Sequence, residues 1–151
     1  MTKPTVIFDM HLTLFRFVKT DSDPEKGFQC SHIEEMPQAI NTFLWFFQQG
    51  FKIVIISASD IQVSRDRLRC LLQSRLSEDE LSVLFKQIDI LSMQFYGSKH
   101  TVEAWTEALT PYSNIQYIFE DGEAKLHAAG EAARQLGSDP VLYTSVADFL
   151  A

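Results

Sequence analysis

Residues Ile53-Val54-Ile55-Ile56 form an unbroken run of β-branched apolar side chains. A strand with one face in water alternates apolar and polar residues, whereas a run without alternation has to be covered on both faces. Helical segments on either side of such a run supply the cover. Further short runs recur at Thr5-Val6-Ile7-Phe8, Ile88 to Leu91, Ile115 to Phe119 and Val141 to Tyr143. Between them lie helical patterns. The first begins near Pro37, a residue favoured at the first helical position, with Ile40, Phe43, Leu44 and Phe47 at helical spacing and Gly50 as the stop. Others cover about 60–74, a segment opened by the capping-box pattern Ser77-Glu78-Asp79-Glu80, about 101–109, Glu123 to Leu136, and a short closing helix. Residues 12–30 have no clear period and carry the turn-rich stretch Asp21-Ser22-Asp23-Pro24 and Gly27. Strands alternating with helices predict an α/β, three-layer, Rossmann-like fold with a central, mainly parallel, five-stranded sheet.

A length of 151 residues suits one domain over 1–151. The chain ends at Phe149-Leu150-Ala151 inside what reads as a helix, as the N-terminal part of a longer protein would. A net charge of −7 argues against nucleic-acid partners, because phosphate backbones need basic patches. A phosphate-bearing ligand would need a local device to hold it against the overall field. No apolar stretch approaches the ~20 residues that span a bilayer, and the N-terminus has no signal-peptide pattern, so no membrane contact is expected. Cys30 and Cys70 are far apart and show no zinc spacing; two reduced cysteines in a cytoplasmic setting are the simple expectation.

In parallel α/β sheets ligands bind beyond the carboxyl ends of the strands. That rule selects Asp9 after the first strand, Ser57 after the second, and Glu120-Asp121 after the fourth; Gly97-Ser98-Lys99 adds a lysine between the third and fourth. Neighbouring carboxylates repel, and a bound Mg²⁺ removes that cost because it takes oxygen ligands. A lysine and a hydroxyl facing the metal would hold a phosphoryl group.

These strings resemble the motifs of the haloacid dehalogenase-like superfamily. Val6-Ile7-Phe8-Asp9-Met10-His11-Leu12-Thr13-Leu14 is similar to its first motif, Ser57 to the second, Lys99 to the third, and Ile118-Phe119-Glu120-Asp121 with Ala128-Ala129 to the fourth. Leu12-Thr13-Leu14-Phe15, Tyr96-Gly97-Ser98-Lys99 and Phe119-Glu120-Asp121 resemble most the capless magnesium-dependent phosphatase group, which has protein-tyrosine-phosphatase activity. The resemblance implies that Asp9 attacks phosphorus and that Asp9, Asp121 and the main-chain carbonyl of His11 hold Mg²⁺. It also implies that Glu120 lies in the outer shell, that Ser57 binds a phosphoryl oxygen, and that Lys99 neutralises charge beside Asp9.

Two positions depart from the pattern. His11 stands where the superfamily has a second acid, the group that protonates the leaving oxygen. Such proton transfer is typically worth ~10²–10⁴-fold. Three readings stay open: His11 is itself the acid and base, which a reference pKa of about 6.5 suits; the acid is lost and only good leaving groups such as phenols react; or the chain is a pseudoenzyme that binds phosphate or a partner. Lys125 stands where the fourth motif often has Asp or Asn, and either tunes Glu120 and Asp121 or is a solvated helix lysine. Dehalogenation is disfavoured, because Asp121 is kept and there is little room for a cap.

The segments between Asp9 and Pro37 and between Ser57 and Lys99 leave space for a short flap and no large cap. An open site favours a phosphoprotein, phosphotyrosine-type substrate, with Phe15, Phe17 and Phe28 either gripping its ring or packing the flap down. His32, His100 and His127 lack ligand spacing, and only His100 adjoins a candidate residue. Trp45 is expected in the core. Arg65, Arg67 and Arg69 read as a solvated face, with Arg65 the one near enough to Ser57 to meet a substrate phosphate. Oligomeric state has no sequence signal.

Overall fold

The computed structural model describes residues 3–18 and 28–149. Its main sheet is built from β1 (Thr5–Phe8), β4 (Lys52–Ser57), β5 (Asp89–Ser92), β6 (Ile115–Phe119) and β7 (Val141–Tyr143) in the order β5-β4-β1-β6-β7, with every neighbouring pair parallel. A short antiparallel pair, β2 (Phe15–Phe17) and β3 (Ile33–Glu35), forms the base of the flap. The helices are α1 (Ala39–Gln48), α2 (Ile61–Leu72), α3 (Glu78–Gln87), α4 (Val102–Leu109) and α5 (Glu123–Gln135).

The apolar strands are buried on both faces, as their lack of alternation requires. Val6, Phe8, Ile53 and Ile55 pack with Phe43 and Phe46 of α1, Leu68 and Leu72 of α2, and Leu81 and Leu84 of α3. Ile7, Val54, Ile56 and Ile118 pack on the opposite side with Trp105 and Ala108 of α4 and Ala129 and Ala132 of α5. Period-two alternation within β1 therefore feeds two cores with the sheet between them. Phe8 stacks on Phe119 at 4.9 Å, which joins the two central strands through one core.

Local sequence explains the helix ends. At α3, Ser77 accepts from the Glu80 amide and the Glu80 carboxylate accepts from the Ser77 amide, the expected capping box. Gly50 adopts φ +82 and ends α1, a left-handed conformation that costs glycine little. The other end of α1 differs from expectation: Gln38 is the cap, at φ +64, and the helix starts at Ala39, leaving Pro37 in the preceding turn. Strand β3 carried no clear period in three residues. The closing helix is a 3₁₀ turn over Val146–Phe149. The turn-rich stretch Asp21 to Gly27 and the terminal Leu150-Ala151 lie outside the described residues.

Three further expectations change. Trp45 is 39% exposed, because α1 is apolar nearly all round and only one side meets the sheet; Trp45 lies against Phe46 and Phe149 at the rim. Cys30 and Cys70 are joined as a disulfide, with Cα atoms 5.3 Å apart, and not reduced. The fold brings the flap onto α2, which spacing in sequence does not reveal, and the ground for a reducing setting is thereby removed. Arg65 lies over the Phe85 ring at 4.6 Å, directed to α3 and not to Ser57. No described helix is long and apolar enough to cross a membrane.

Candidate active site

Chain order reverses at β1: β4 and β5 lie on one side and β6 and β7 on the other. The crevice of such a sheet opens at the carboxyl ends beside this switch. Parallel register sets Phe8 level with Ile55 and Phe119, so Asp9, Ser57 and Glu120 leave adjacent strands at nearly the same height. The Asp9 amide donates to the Phe119 carbonyl at 2.9 Å and the Glu120 amide to the Tyr143 carbonyl at 3.1 Å, which fixes both backbones.

The Asp9 carboxylate is buried and held at both oxygens. Lys99 Nζ donates to Oδ1 at 2.6 Å and the Thr13 hydroxyl to Oδ2 at 3.1 Å. Lys99 Nζ also donates to Glu120 Oε2 at 2.8 Å. The Lys99 loop is pinned in turn: the Trp105 indole donates to the Lys99 carbonyl at 2.7 Å, and Gly97 turns the chain at φ +123. Trp105 was not singled out from sequence, and Thr13 entered only as part of the first-motif string, with no role of its own. The Thr13, Leu14 and Phe15 amides close a turn on the Met10 carbonyl, and that turn brings the Thr13 hydroxyl to Asp9.

Asp9, Glu120 and Asp121 each present a carboxylate oxygen within 4.8 Å of the others. Burial, then the Asp9 charge, push Glu120 up to about 7 against the opposing pull of Lys99. Burial and Asp9 also raise Asp121, and Lys125 opposes the rise. Glu120 Oε1 is buried without a hydrogen-bond partner among the described residues. Three crowded carboxylates, one with an orphaned oxygen, form the all-oxygen donor set that suits a hard cation such as Mg²⁺.

A cavity of about 370 Å³ gathers Asp9, His11, Ser57, Lys99, Asp121 and Lys125, all of the expected site residues except Glu120, which is buried and not part of its lining. The Ser57 hydroxyl oxygen accepts from the Ser59 amide at 3.1 Å, leaving its proton for another acceptor. His11 is exposed and leans on the flap rings, 5.6 Å from Phe15 and 5.0 Å from Phe17. Phe15 is fully buried and packs the flap down, whereas Phe17 and Phe28 are 49% and 40% exposed. His100 lines a neighbouring hollow with Lys99 and Lys125.

Arg67 is in the same cavity, although sequence placed it on a solvated face. The buried positions of α2 are Ser64, Leu68, Leu71 and Leu72. Arg67 is three residues from Ser64 and four from Leu71, so a helix phased on its leucines turns it inward.

No protein-family model and no curated protein matches the chain. Solved structures do. A haloacid dehalogenase superfamily hydrolase from Ehrlichia chaffeensis aligns with a TM-score of 0.57 at 17% identity, over 99% of this chain and 95% of that one. A haloacid dehalogenase-like hydrolase from Streptococcus pneumoniae aligns with a TM-score of 0.52 at 14% identity, over 98% and 90%. A protein described as a β-phosphoglucomutase from Thermotoga maritima aligns with a TM-score of 0.58 at 13% identity, over 93% and 94%. The chain has the haloacid dehalogenase-like fold.

Proposed function

We propose that the chain is a Mg²⁺-dependent phosphoric monoester hydrolase that uses Asp9 as nucleophile and acts on aryl phosphates of the phosphotyrosine type carried on proteins. The observation that carries this reading is the Asp9 carboxylate at the end of β1, held by Lys99 and Thr13 beside Glu120 and Asp121. The fold of its structural neighbours agrees with it. Asp9, Asp121 and the His11 carbonyl would hold Mg²⁺, with Glu120 behind them. The metal would neutralise carboxylates and phosphoryl oxygens that otherwise repel one another.

The residues then divide the work. The Ser57 proton and the Lys99 ammonium orient the phosphoryl oxygens. An Asp9 oxygen bonds to phosphorus as the ester P–O bond breaks, giving an aspartyl-phosphate and an alkoxide or phenoxide leaving group. His11, if protonated, gives that oxygen its proton; as neutral imidazole it then takes a proton from the water that releases inorganic phosphate. A phenol, pKa about 10, departs with less help than an alkyl alcohol, which favours aryl esters for a site with an imidazole in place of a carboxylic acid. The cavity is lined on the flap side by Phe17 of β2, and the chain length between Asp9 and Pro37 leaves no room for a large cap, which suits a phosphoryl group on a macromolecule.

The test is hydrolysis of p-nitrophenyl phosphate, blocked by chelation and by Asp9→Asn. Turnover surviving in Asp9→Asn would overturn the assignment. A second reading is a catalytically impaired module that binds phosphate or a protein; the imidazole at position 11, exposed against flap rings, favours it. It requires binding of Mg²⁺ and phosphate without turnover on any ester.

A further inference from the structure

The cavity contains a cation that the proposed chemistry does not use. The Arg67 guanidinium makes no ion pair among the described residues. Among the described residues its hydrogen bond is from Nη1 to the Ser59 hydroxyl at 3.4 Å, and its Nε is buried without a partner. Nε is shut off from the cavity, so a carboxylate there would accept from the Nη groups, which a guanidinium presents as two parallel hydrogen bonds. Burial holds the guanidinium somewhat below its usual pKa.

The position of Arg67 indicates which end of a substrate it would meet. Its Cζ lies 5.0 Å from the Phe17 ring and 5.6 Å from both the buried Phe15 ring and the Phe28 ring. The His11 ring lies 5.0 Å from the same Phe17 ring. Phe17 is thus in contact both with the residue assigned to the leaving oxygen and with the Arg67 guanidinium. Arg67 reaches the phosphoryl-binding loop only through Ser59, and among the described residues it makes no hydrogen bond to Asp9, Ser57, Lys99 or Asp121, which serve the transferred group. The disulfide fixes this arrangement: Cys70 is one helical turn beyond Arg67, and Cys30 is two residues beyond Phe28.

We infer that Arg67, framed by Phe17 and Phe28, is a subsite for a carboxylate carried on the leaving group of the substrate, and that the enzyme selects phosphate monoesters with this second anion. The inference rests on the phosphatase reading. The carboxylate belongs either to a small aromatic acid or to an acidic side chain near a phosphotyrosine, and both present the same chemistry to Arg67.

Two pairs of non-hydrolysable phosphonates test it by calorimetric binding with Mg²⁺ present. The first pair is benzylphosphonate and 4-(carboxymethyl)benzylphosphonate. The second is a phosphonomethyl-phenylalanine peptide with glutamates or with glutamines beside the analogue. The wild-type chain is expected to prefer the carboxylate-bearing member of at least one pair by about 10- to 100-fold, the range of a charge-assisted hydrogen bond. The preferring pair identifies the source of the carboxylate. Arg67→Met is expected to collapse the preference toward one, and Arg67→Lys to keep part of it. Because a ratio is read, a general loss of binding from a loosened flap leaves the test intact. No preference in either pair, or a preference that survives Arg67→Met, overturns the inference. Failure of the phosphatase reading shows separately, as no turnover of p-nitrophenyl phosphate, and no binding of any of the four compounds overturns both.

Discussion

The Lys99 ammonium donates to Asp9 Oδ1 at 2.6 Å across 90 residues of sequence, and the same nitrogen reaches Glu120 at 2.8 Å. One cation therefore ties the carboxyl end of β1 to that of β6 within a buried site.

Lys99→Met leaves two buried carboxylates without their shared partner. Breaking a buried ion pair costs about 3–5 kcal/mol, and removing a charge-stabilising donor costs about 10²–10³-fold in rate. Urea denaturation and aryl phosphate turnover measure the two effects. A stable Lys99→Met protein with an undiminished rate would show that the ammonium takes no part.

At position 11, alanine and aspartate separate the readings of the imidazole. With His11 as general acid, His11→Ala lowers kcat on alkyl phosphates by about 10²–10⁴-fold and on p-nitrophenyl phosphate by less. His11→Asp, which installs the carboxylic acid of the superfamily pattern, is expected to gain on alkyl esters. If alanine equals wild type on both ester classes, His11 is not the acid.

Glu120 gives the metal-free protein a defined pH response. Its folded-state pKa is raised from the ordinary 4.5 to about 7, chiefly by burial. Between those values the folded chain holds more protons than the unfolded one, so stability falls as pH rises through that window. Thermal denaturation in chelator from pH 4 to 8 reads this slope. Glu120→Gln is expected to flatten it, and a slope unchanged in that variant would assign the effect to another group.

The Cys30–Cys70 disulfide closes a 40-residue loop and tethers the flap to α2. Its reduction is expected to cost about 2–4 kcal/mol by releasing entropy to the unfolded chain. Urea midpoints with and without dithiothreitol measure it, and the Cys30→Ser/Cys70→Ser double variant should lose the response. Equal midpoints in oxidised and reduced wild type would argue that the tether adds nothing.

Much of this architecture was legible before any coordinates. Apolar runs that do not alternate, such as Ile53 to Ile56, identify doubly covered strands, and a strand of that kind places the residue after it at a sheet edge. Asp9, Ser57, Glu120 and Asp121 follow from that rule, and Lys99 from its place among them. Pro37 was misleading, because a proline before a left-handed cap at Gln38 is as acceptable to the chain as one inside the helix.

Sequence by itself determined the strand–helix order, the parallel sheet and the residues at its carboxyl edge, because those depend on side-chain periodicity along short segments. Tertiary structure decided which residues from separate segments meet. Residues 65 and 67 of a helix point about 200° apart. The packing of Leu68, Leu71 and Leu72 against the sheet turned Arg67 into the cavity and sent Arg65 to Phe85. The pairing of Cys30 with Cys70, the indole of Trp105 on the Lys99 loop and the rim position of Trp45 have the same origin. Each depends on how a helix is rotated and docked, a quantity fixed by the whole core and by no local pattern.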